Sequence, residues 1–174
     1  MNTSIRYEPK RQKGFSLLEL VVVLAIMCAL FAIVGLQWKT WMTKYNVEAD
    51  VKKVKLALTY EQVLAVNHSK THFETFLTTS IQPVEDTDEN GILDATPPDT
   101  AGQPIMLKTA INASSNSIII DKKGIISSPT SSVLDNPVTI KFSSNTGAEY
   151  DCILVYSTII RAARQNTGGG CDPM

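Results

Sequence analysis

The stretch FSLLELVVVLAIMCALFAIVGL, residues 15–36, decides the fold of this chain. It contains one charged residue, Glu19, and one hydroxyl-bearing residue, Ser16. A helix of this length, at about 1.5 Å per residue, covers the roughly 30 Å hydrocarbon core of a bilayer. The stretch therefore predicts a helix that can span a membrane.

Outward from this stretch, charge is divided unevenly. Residues 1–14 carry four Lys or Arg and one Glu, a net charge of +3, whereas the remainder carries 12 Lys or Arg and 16 Asp or Glu, a net charge of −4. The basic flank favours a cytoplasmic amino terminus. The total charge of −1 argues against a dedicated nucleic-acid-binding domain, and 44% apolar residues exclude a disordered chain.

Three ordinary interpretations of the amino terminus fit poorly. A secretory signal has a shorter apolar core followed by a small-x-small cleavage site, which is missing here. A lipoprotein signal needs a small residue before its cysteine, but Met27 precedes Cys28. A plain membrane anchor leaves Glu19 unexplained, because a lone carboxylate in hydrocarbon costs several kcal/mol on insertion scales.

The string KGFSLLE, residues 13–19, resembles the prepilin signal of the type IV pilin superfamily. That signal combines a basic leader, a glycine and a Phe-Ser/Thr-Leu-Leu/Ile-Glu start to a long apolar helix. The resemblance implies cleavage after Gly14 by a prepilin peptidase and methylation of the new amino terminus on Phe15. It also implies an assembly role for Glu19, whose carboxylate would pair with the amino terminus of a neighbouring subunit. The alternative is a Glu19 side chain that extends to the lipid headgroups.

The resemblance and the sequence pattern together predict three parts: a leader peptide at 1–14, a transmembrane and filament-core helix at 15–37, and a soluble pilin-like domain at 38–174. The helix should continue beyond the apolar run and end near Asn67, where Asn-His-Ser-Lys has turn chemistry. A stripe at helical spacing should bury against a sheet; it comprises Val47, Val51, Val54, Leu58 and Ala65. The expected fold class is α+β, a long N-terminal helix packed on a C-terminal antiparallel β-sheet.

Six segments of the C-terminal part have strand composition, namely 71–79, 117–121, 125–127, 138–142, 152–156 and 158–160. Residues 82–104 hold four of the eight prolines and predict a long loop, and residues 166–170 predict a flexible tail. The order Ile140-Lys141-Phe142, a turn at Gly147, and Cys152–Val155 leading to Arg161 resembles the FimT/GspH-like minor pilins and pseudopilins. The glycine common before that arginine is absent here.

The cysteines permit one disulfide on the exported side. Cys152 and Cys171 are 19 residues apart, and a bond between them would contribute roughly 3 kcal/mol in the chain-entropy model. Cys28 would remain single within the apolar helix as a small apolar side chain.

Residues 86–94, DTDENGILD, match the first nine positions of an EF-hand-type calcium loop. Side-chain oxygens would come from Asp86, Asp88, Asn90 and Asp94, and a backbone carbonyl from Ile92. The twelfth position is Pro97 instead of a bidentate glutamate, so Asp99 or Glu85 would have to substitute. The competing interpretation is a solvated acidic turn.

His68 and His72 are four residues apart and could share a helical face as metal ligands. If the helix ends at Asn67, this spacing loses its meaning. We therefore interpret both histidines as surface residues in a turn and a strand.

The expected function is that of a structural subunit, a minor pilin, and not of an enzyme. Its implied partners are other pilins or pseudopilins, the prepilin peptidase and the inner-membrane assembly platform. The implied location is the bacterial inner membrane, then the filament. Alternatives are a type II secretion pseudopilin, a membrane-anchored calcium module, and a DNA-binding minor pilin with a basic patch formed by Lys122, Lys123, Arg161 and Arg164.

Overall fold

The structure is a computed structural model that describes residues 14, 16–94, 99–129, 134, 136–142 and 147–174, without the side chains at 33–37. The chain divides into a first unit, Met1–Lys39, and a second compact unit, Thr40–Met174. Phe15, Pro97 and most of the turn expected around Gly147 lie outside the described residues.

Helix α1 runs from Leu17 to His68. It begins after Ser16, whose Oγ accepts a hydrogen bond from the Glu19 backbone N–H at 3.2 Å and so caps one of the free donors of the first turn. Ser69, the residue after the helix end, adopts a left-handed backbone with φ of 55°. The predicted end near Asn67 is confirmed.

The two parts of the helix differ in exposure. In the first unit the side chains from Leu17 to Ala32 are all exposed. In the second unit the predicted stripe is confirmed, since its five residues are fully buried; they are Val47, Val51, Val54, Leu58 and Ala65. Within the described part of the chain, no helix is both long enough and apolar enough to cross a membrane. The membrane span at 15–37 remains a prediction.

The described residues form eleven strands after the helix. They are β1 (His72–Phe76), β2 (Ser80–Glu85), β3 (Thr100–Ala101), β4 (Ile105–Met106), β5 (Ile111–Ala113), β6 (Ser117–Ile120), β7 (Ile126–Ser127), β8 (Val138–Phe142), β9 (Cys152–Val155), β10 (Ile160–Gln165) and β11 (Cys171–Pro173). The expected α+β class is confirmed, with antiparallel pairing throughout these strands.

The strands form two sheets. The first has the order β3-β2-β1-β6-β7, with β4 also paired to β2, and the second has the order β11-β10-β9-β8-β5. Ile118 and Ile120 from the first sheet, and Ile140 and Ile153 from the second, join the helix stripe in one buried core. The single sheet expected from the sequence is therefore two sheets over a shared core.

The structure corrects three details. Strand β2 extends to Glu85 although it contains Pro83, so the loop expected at 82–104 starts later and is interrupted by β3. The last inner strand, β10, continues through Arg161 and Arg164 to Gln165 instead of ending at 160. The expected flexible tail is an ordered turn, because Asn166 Oδ1 accepts bonds from the N–H groups of Gly168 at 3.1 Å and Gly170 at 2.8 Å.

Candidate functional site

Two of the residues expected for processing and assembly, Gly14 and Glu19, lie at an open surface. A Cβ added at Gly14 would meet no atom within 4 Å. Glu19 lies in the first turn of α1 and is exposed. The predicted methylation site, Phe15, lies outside the described residues, so its surroundings stay a prediction.

The apolar side chains from Leu17 to Ala32, on both sides of Glu19 in the sequence, are all exposed. Leu17 and Leu18 are 83% and 75% exposed, and Phe31 is 71% exposed. Water around such a surface costs about 25 cal/mol for each Å² of apolar area. A soluble monomer rarely leaves so large a patch uncovered, so this segment requires an apolar environment supplied from outside the chain.

The acidic loop connects β2 to β3, and its local bonds follow the spacing of a calcium loop. Asp86 is fully buried, and its Oδ2 accepts a hydrogen bond from the Gly91 N–H at 2.9 Å. Gly91 has φ of 73°, the left-handed conformation that the sharp turn needs. The Asn90 amide donates to Asp88 Oδ2 and Asp94 Oδ2, both at 2.9 Å. The Ile92 N–H donates to Asn90 Oδ1 at 2.6 Å.

Asp99 closes this loop. Its Oδ2 accepts a hydrogen bond from the Asp94 N–H at 2.9 Å. One carboxylate oxygen from each of Asp86, Asp88 and Asp99 lies within 4.8 Å of the other two. Of the two substitutes named for the missing twelfth-position glutamate, the structure places Asp99 with the cluster. Glu85 instead forms an ion pair with Lys70, with 2.5 Å between Nζ and Oε1.

One buried atom of this loop has no hydrogen-bond partner in the part of the chain that the structure describes. Asp86 Oδ1 is buried and accepts no hydrogen bond from the described residues. A buried carboxylate oxygen without a donor costs about 1–3 kcal/mol or more. A cation held by Asp86, Asp88 and Asp99 would remove that cost.

A second polar cluster lies at the connection between α1 and β1. His72 Nδ1 is 2.8 Å from Glu61 Oε2, and both side chains are buried. His68 ends the helix with its ring centroid 6.4 Å from that of His72. The surface placement expected for His68 is confirmed, but His72 is only 4% exposed, so the surface interpretation of His72 was wrong.

Glu74, two residues further along β1, is fully buried, and neither of its carboxylate oxygens has a hydrogen-bond partner among the described residues. Burial raises the pKa of this carboxyl well above its usual range, and the nearby Glu61 charge raises it further. By contrast, the Lys70 ammonium beside Glu85 holds the pKa of the Glu85 carboxyl below its usual value.

The structure joins Cys152 and Cys171 in a disulfide, as the sequence predicts, with 6.2 Å between their Cα atoms. The bond ties the outer strand β11 to β9 across β10. Cys28 is a free, exposed cysteine on the helix.

The basic residues considered for DNA lie on two different sheets. Lys122 and Lys123 are exposed in the turn between β6 and β7, and Arg161 and Arg164 are exposed on β10. Sequence patterns did not reveal two buried acidic residues of α1 that bond to later parts of the chain. Asp50 is buried, and its Oδ2 accepts bonds from the N–H groups of Lys108 and Thr109 at 2.9 and 2.8 Å; Glu61 orients His72. Both residues fall on the apolar stripe of α1, and that position was the available signal.

Comparison with known families finds one match. Residues 9–35 match the family described as the prokaryotic N-terminal methylation motif. The match covers the end of the predicted leader, the proposed cleavage point and the first part of α1, so this region is a prepilin-type signal. No curated protein and no solved structure matches the chain.

Proposed function

We propose that this chain, which carries a prepilin-type signal at residues 9–35, is a structural subunit, a minor pilin, of a type IV pilus or related filament. It would be stored in the inner membrane and polymerised after leader cleavage. Its partners would be other pilins, the prepilin peptidase and the assembly platform. Its work would be packing and not catalysis.

The observation that carries this proposal is the exposed apolar surface from Leu17 to Ala32, which lies within the matched motif at residues 9–35. Lipid would cover this surface before assembly, and the same segments of neighbouring subunits would cover it afterwards. The Glu19 carboxylate is the one charged group among these apolar side chains, so it would enter the same lipid or filament interior.

Glu19 can be neutralised in a filament more readily than in lipid. Cleavage after Gly14 creates a free amine on Phe15, and the carboxylate of one subunit can pair with the amine of the next. Pairing compensates two buried charges at once, whereas removing either partner leaves the other uncompensated.

Two finer alternatives share this framework. A pseudopilin of type II secretion would have the same signal and the same packing. A DNA-binding minor pilin would need Lys122, Lys123, Arg161 and Arg164 to act together, and the acidic remainder of the chain opposes this. A salt-dependent gel shift of the full chain in detergent distinguishes the DNA-binding alternative, because phosphate contacts weaken as salt rises.

Glu19→Ala is the direct test of the assembly role. Membrane insertion should persist or improve, while incorporation into filaments should fall because the Phe15 amine loses its partner. Immunoblotting of sheared filaments against membrane fractions measures both. Ser16→Ala is the matched control, since it removes the helix cap at 3.2 Å but keeps the carboxylate. Unchanged incorporation of Glu19→Ala would contradict the assembly role.

Replacing Gly14 with a bulky residue tests the signal itself. The peptidase must approach the backbone closely, so a tryptophan at this position should leave the precursor uncleaved. Mass spectrometry of the membrane fraction would show the additional leader mass. A mature amino terminus other than Phe15 in the unmutated protein would exclude the assigned processing site.

We further propose that the loop from Asp86 to Asp99 binds calcium. Asp86, Asp88, Asn90, Asp94 and the Ile92 carbonyl would supply oxygens, and Asp99 would take the closing place. The observation that favours a cation over a solvated turn is the buried, unpartnered Asp86 Oδ1 beside two further carboxylates. Calcium would order the β2–β3 connection.

A thermal melt of the full chain in detergent, with millimolar calcium against chelator, tests this proposal. Calcium should raise the melting temperature because it binds only the folded state, and magnesium should do less. The affinity should be weak, about 10⁻⁴–10⁻³ M, as in extracellular modules.

Asp88→Ala and Asp99→Asn should each abolish the calcium effect on the melt. Glu89→Gln is the matched control, because Glu89 lies in the same loop outside the ligand set. Identical melts with calcium and chelator, together with no binding heat by calorimetry, would return the loop to a solvated turn.

A further inference from the structure

The chain has only two histidines, and the fold brings both to one place. His68 ends α1 and His72 begins β1, and the left-handed Ser69 lies in the short turn between them. One candidate ligand atom from each of His68, His72 and Glu85 lies within 4.8 Å of the other two. Glu85 reaches the cluster because it is paired with His72 in the register of β1 and β2.

The His72 ring is held by a hydrogen bond to Glu61. Its Nδ1 is 2.8 Å from the buried Glu61 carboxylate, so Nδ1 donates its proton there and Nε2 is left as the acceptor. Nε2 is buried and has no hydrogen-bond partner among the described residues. A carboxylate bonded to one nitrogen of a histidine whose other nitrogen binds metal is a recurrent arrangement, which fixes the tautomer and raises the basicity of the ligand.

From this geometry we propose that His68, His72 and Glu85 form a binding site for a divalent transition metal of the Zn²⁺ type, with Glu61 as the positioning residue for His72. Two imidazoles and one carboxylate match the ligands that zinc accepts, whereas calcium and magnesium favour oxygen. Coordination would satisfy the buried Nε2.

Metal entry requires only a small closure. Ligand atoms in a tetrahedral zinc shell lie about 3.3–3.5 Å apart, compared with the upper limit of 4.8 Å here. His68 is exposed at the helix end and Glu85 is half-buried, so rotation of these two side chains can supply this change. Three protein ligands leave a fourth position for water. Glu61, His72 and Glu85 also line a cavity of about 370 Å³.

Lys70 competes for the same carboxylate. Its Nζ is 2.5 Å from Glu85 Oε1. Metal binding must therefore share or displace this ion pair. Replacement of Lys70 by a neutral residue should free Glu85 and tighten metal binding, an effect opposite to that of removing a ligand. If the cluster has only a structural role, the Lys70 and ligand variants should not have opposite effects on zinc affinity.

The test uses the full chain in detergent on a Cys28→Ala background, which removes the free thiol, with millimolar calcium present to saturate the acidic loop. Zinc chloride is titrated by calorimetry and by competition with a chromogenic chelator. Cobalt(II) replaces zinc for visible absorption, because four-coordinate cobalt absorbs more strongly than the hexaaqua ion. Circular dichroism checks that each variant is folded.

We expect one zinc per chain and a four-coordinate cobalt spectrum. His68→Gln, at an exposed position, should weaken zinc binding by at least about tenfold and remove the cobalt band. Glu85→Gln should do the same. Lys70→Gln should tighten zinc binding by about two- to fivefold, the usual worth of an exposed ion pair.

Two results would overturn the proposal. One is the absence of stoichiometric zinc binding in the unmutated background. The other is binding that His68→Gln leaves unchanged, which would mean that zinc occupies another group and that His72 and Glu61 form only a buried pair. The inference does not rest on the proposed filament role, and a failure of Glu19→Ala to affect incorporation would leave it intact.

Discussion

The first part of α1, Leu17 to Ala32, and the second part, Val47 to Ala65, are continuous in one helix but have opposite environments. The first exposes apolar side chains on every side. The second buries one stripe against the two sheets, although Leu56, Tyr60 and Val63, outside the stripe, remain exposed. The stability of the second part comes from the chain's own core, whereas the first part depends on surfaces that other molecules supply.

The largest expected effect separates the two parts directly. Leu58→Ala should lower the free energy of unfolding by about 2–5 kcal/mol, because Leu58 is fully buried in the shared core. Leu24→Ala, at a position that is 55% exposed, should change it by less than about 0.5 kcal/mol. Urea unfolding of the full chain in detergent, followed by circular dichroism, measures both. Equal losses would mean that the two parts share one source of stability.

Removing the disulfide tests how much the stability of the second part depends on the second sheet, which contains β9 and β11. Cys152→Ser with Cys171→Ser should lower the unfolding free energy by roughly 3 kcal/mol, because the unfolded chain regains the conformational entropy that the closed loop of 19 residues removes. Cys28→Ser is the control on the first part and should have no comparable effect. A double variant as stable as the parent would show that β11 needs no covalent tie.

The smallest expected effect is a gain. In the folded state the raised pKa of Glu74 keeps its carboxyl protonated at pH values where the unfolded chain has ionised it. Stability should therefore fall as pH rises above about 4.3, the ordinary value for a glutamate. Glu74→Met should remove this slope and raise stability at pH 7 by about 1–3 kcal/mol, since it replaces an unpaired buried polar group.

Glu74→Gln serves as the control for that gain. It cannot ionise, so it should also lose the slope, but it stays polar and should gain less. Melting temperatures between pH 4 and 8 compare the three proteins. A slope in Glu74→Gln equal to that of the parent would assign the pH dependence to another group.

Sequence periodicity predicted the helix and its stripe correctly because both depend on local spacing. The turn at Asn67 was equally readable, since its signal lies within four residues. Pro83 gave the wrong loop boundary because proline ordinarily excludes a strand interior, yet β2 extends through it. The division into two sheets depends on which strands pair over long distances, and no local pattern encodes that.

The candidate sites show the same limit. The spacing of Asp86, Asp88, Asn90 and Asp94 was visible because a calcium loop is a local motif. The pairing of Glu61 with His72 was not visible in the sequence, because it joins a helix to a strand. The position of a glutamate on an apolar stripe was the one local sign of a buried polar contact. Ser16 with Glu19 three residues later also matches a helix-capping pattern that the sequence already contained.

The edge strand β11 affects how copies of this domain can pack side by side. It is the outer strand of the second sheet, it has only three residues, and it includes Asp172 and Pro173. A short edge with a negative charge and a residue that lacks an N–H is a poor template for a strand from another molecule. Where many copies of this domain are held side by side, that edge would favour separate folded units over sheet-to-sheet aggregation, and the bond from Cys171 to Cys152 keeps it in place.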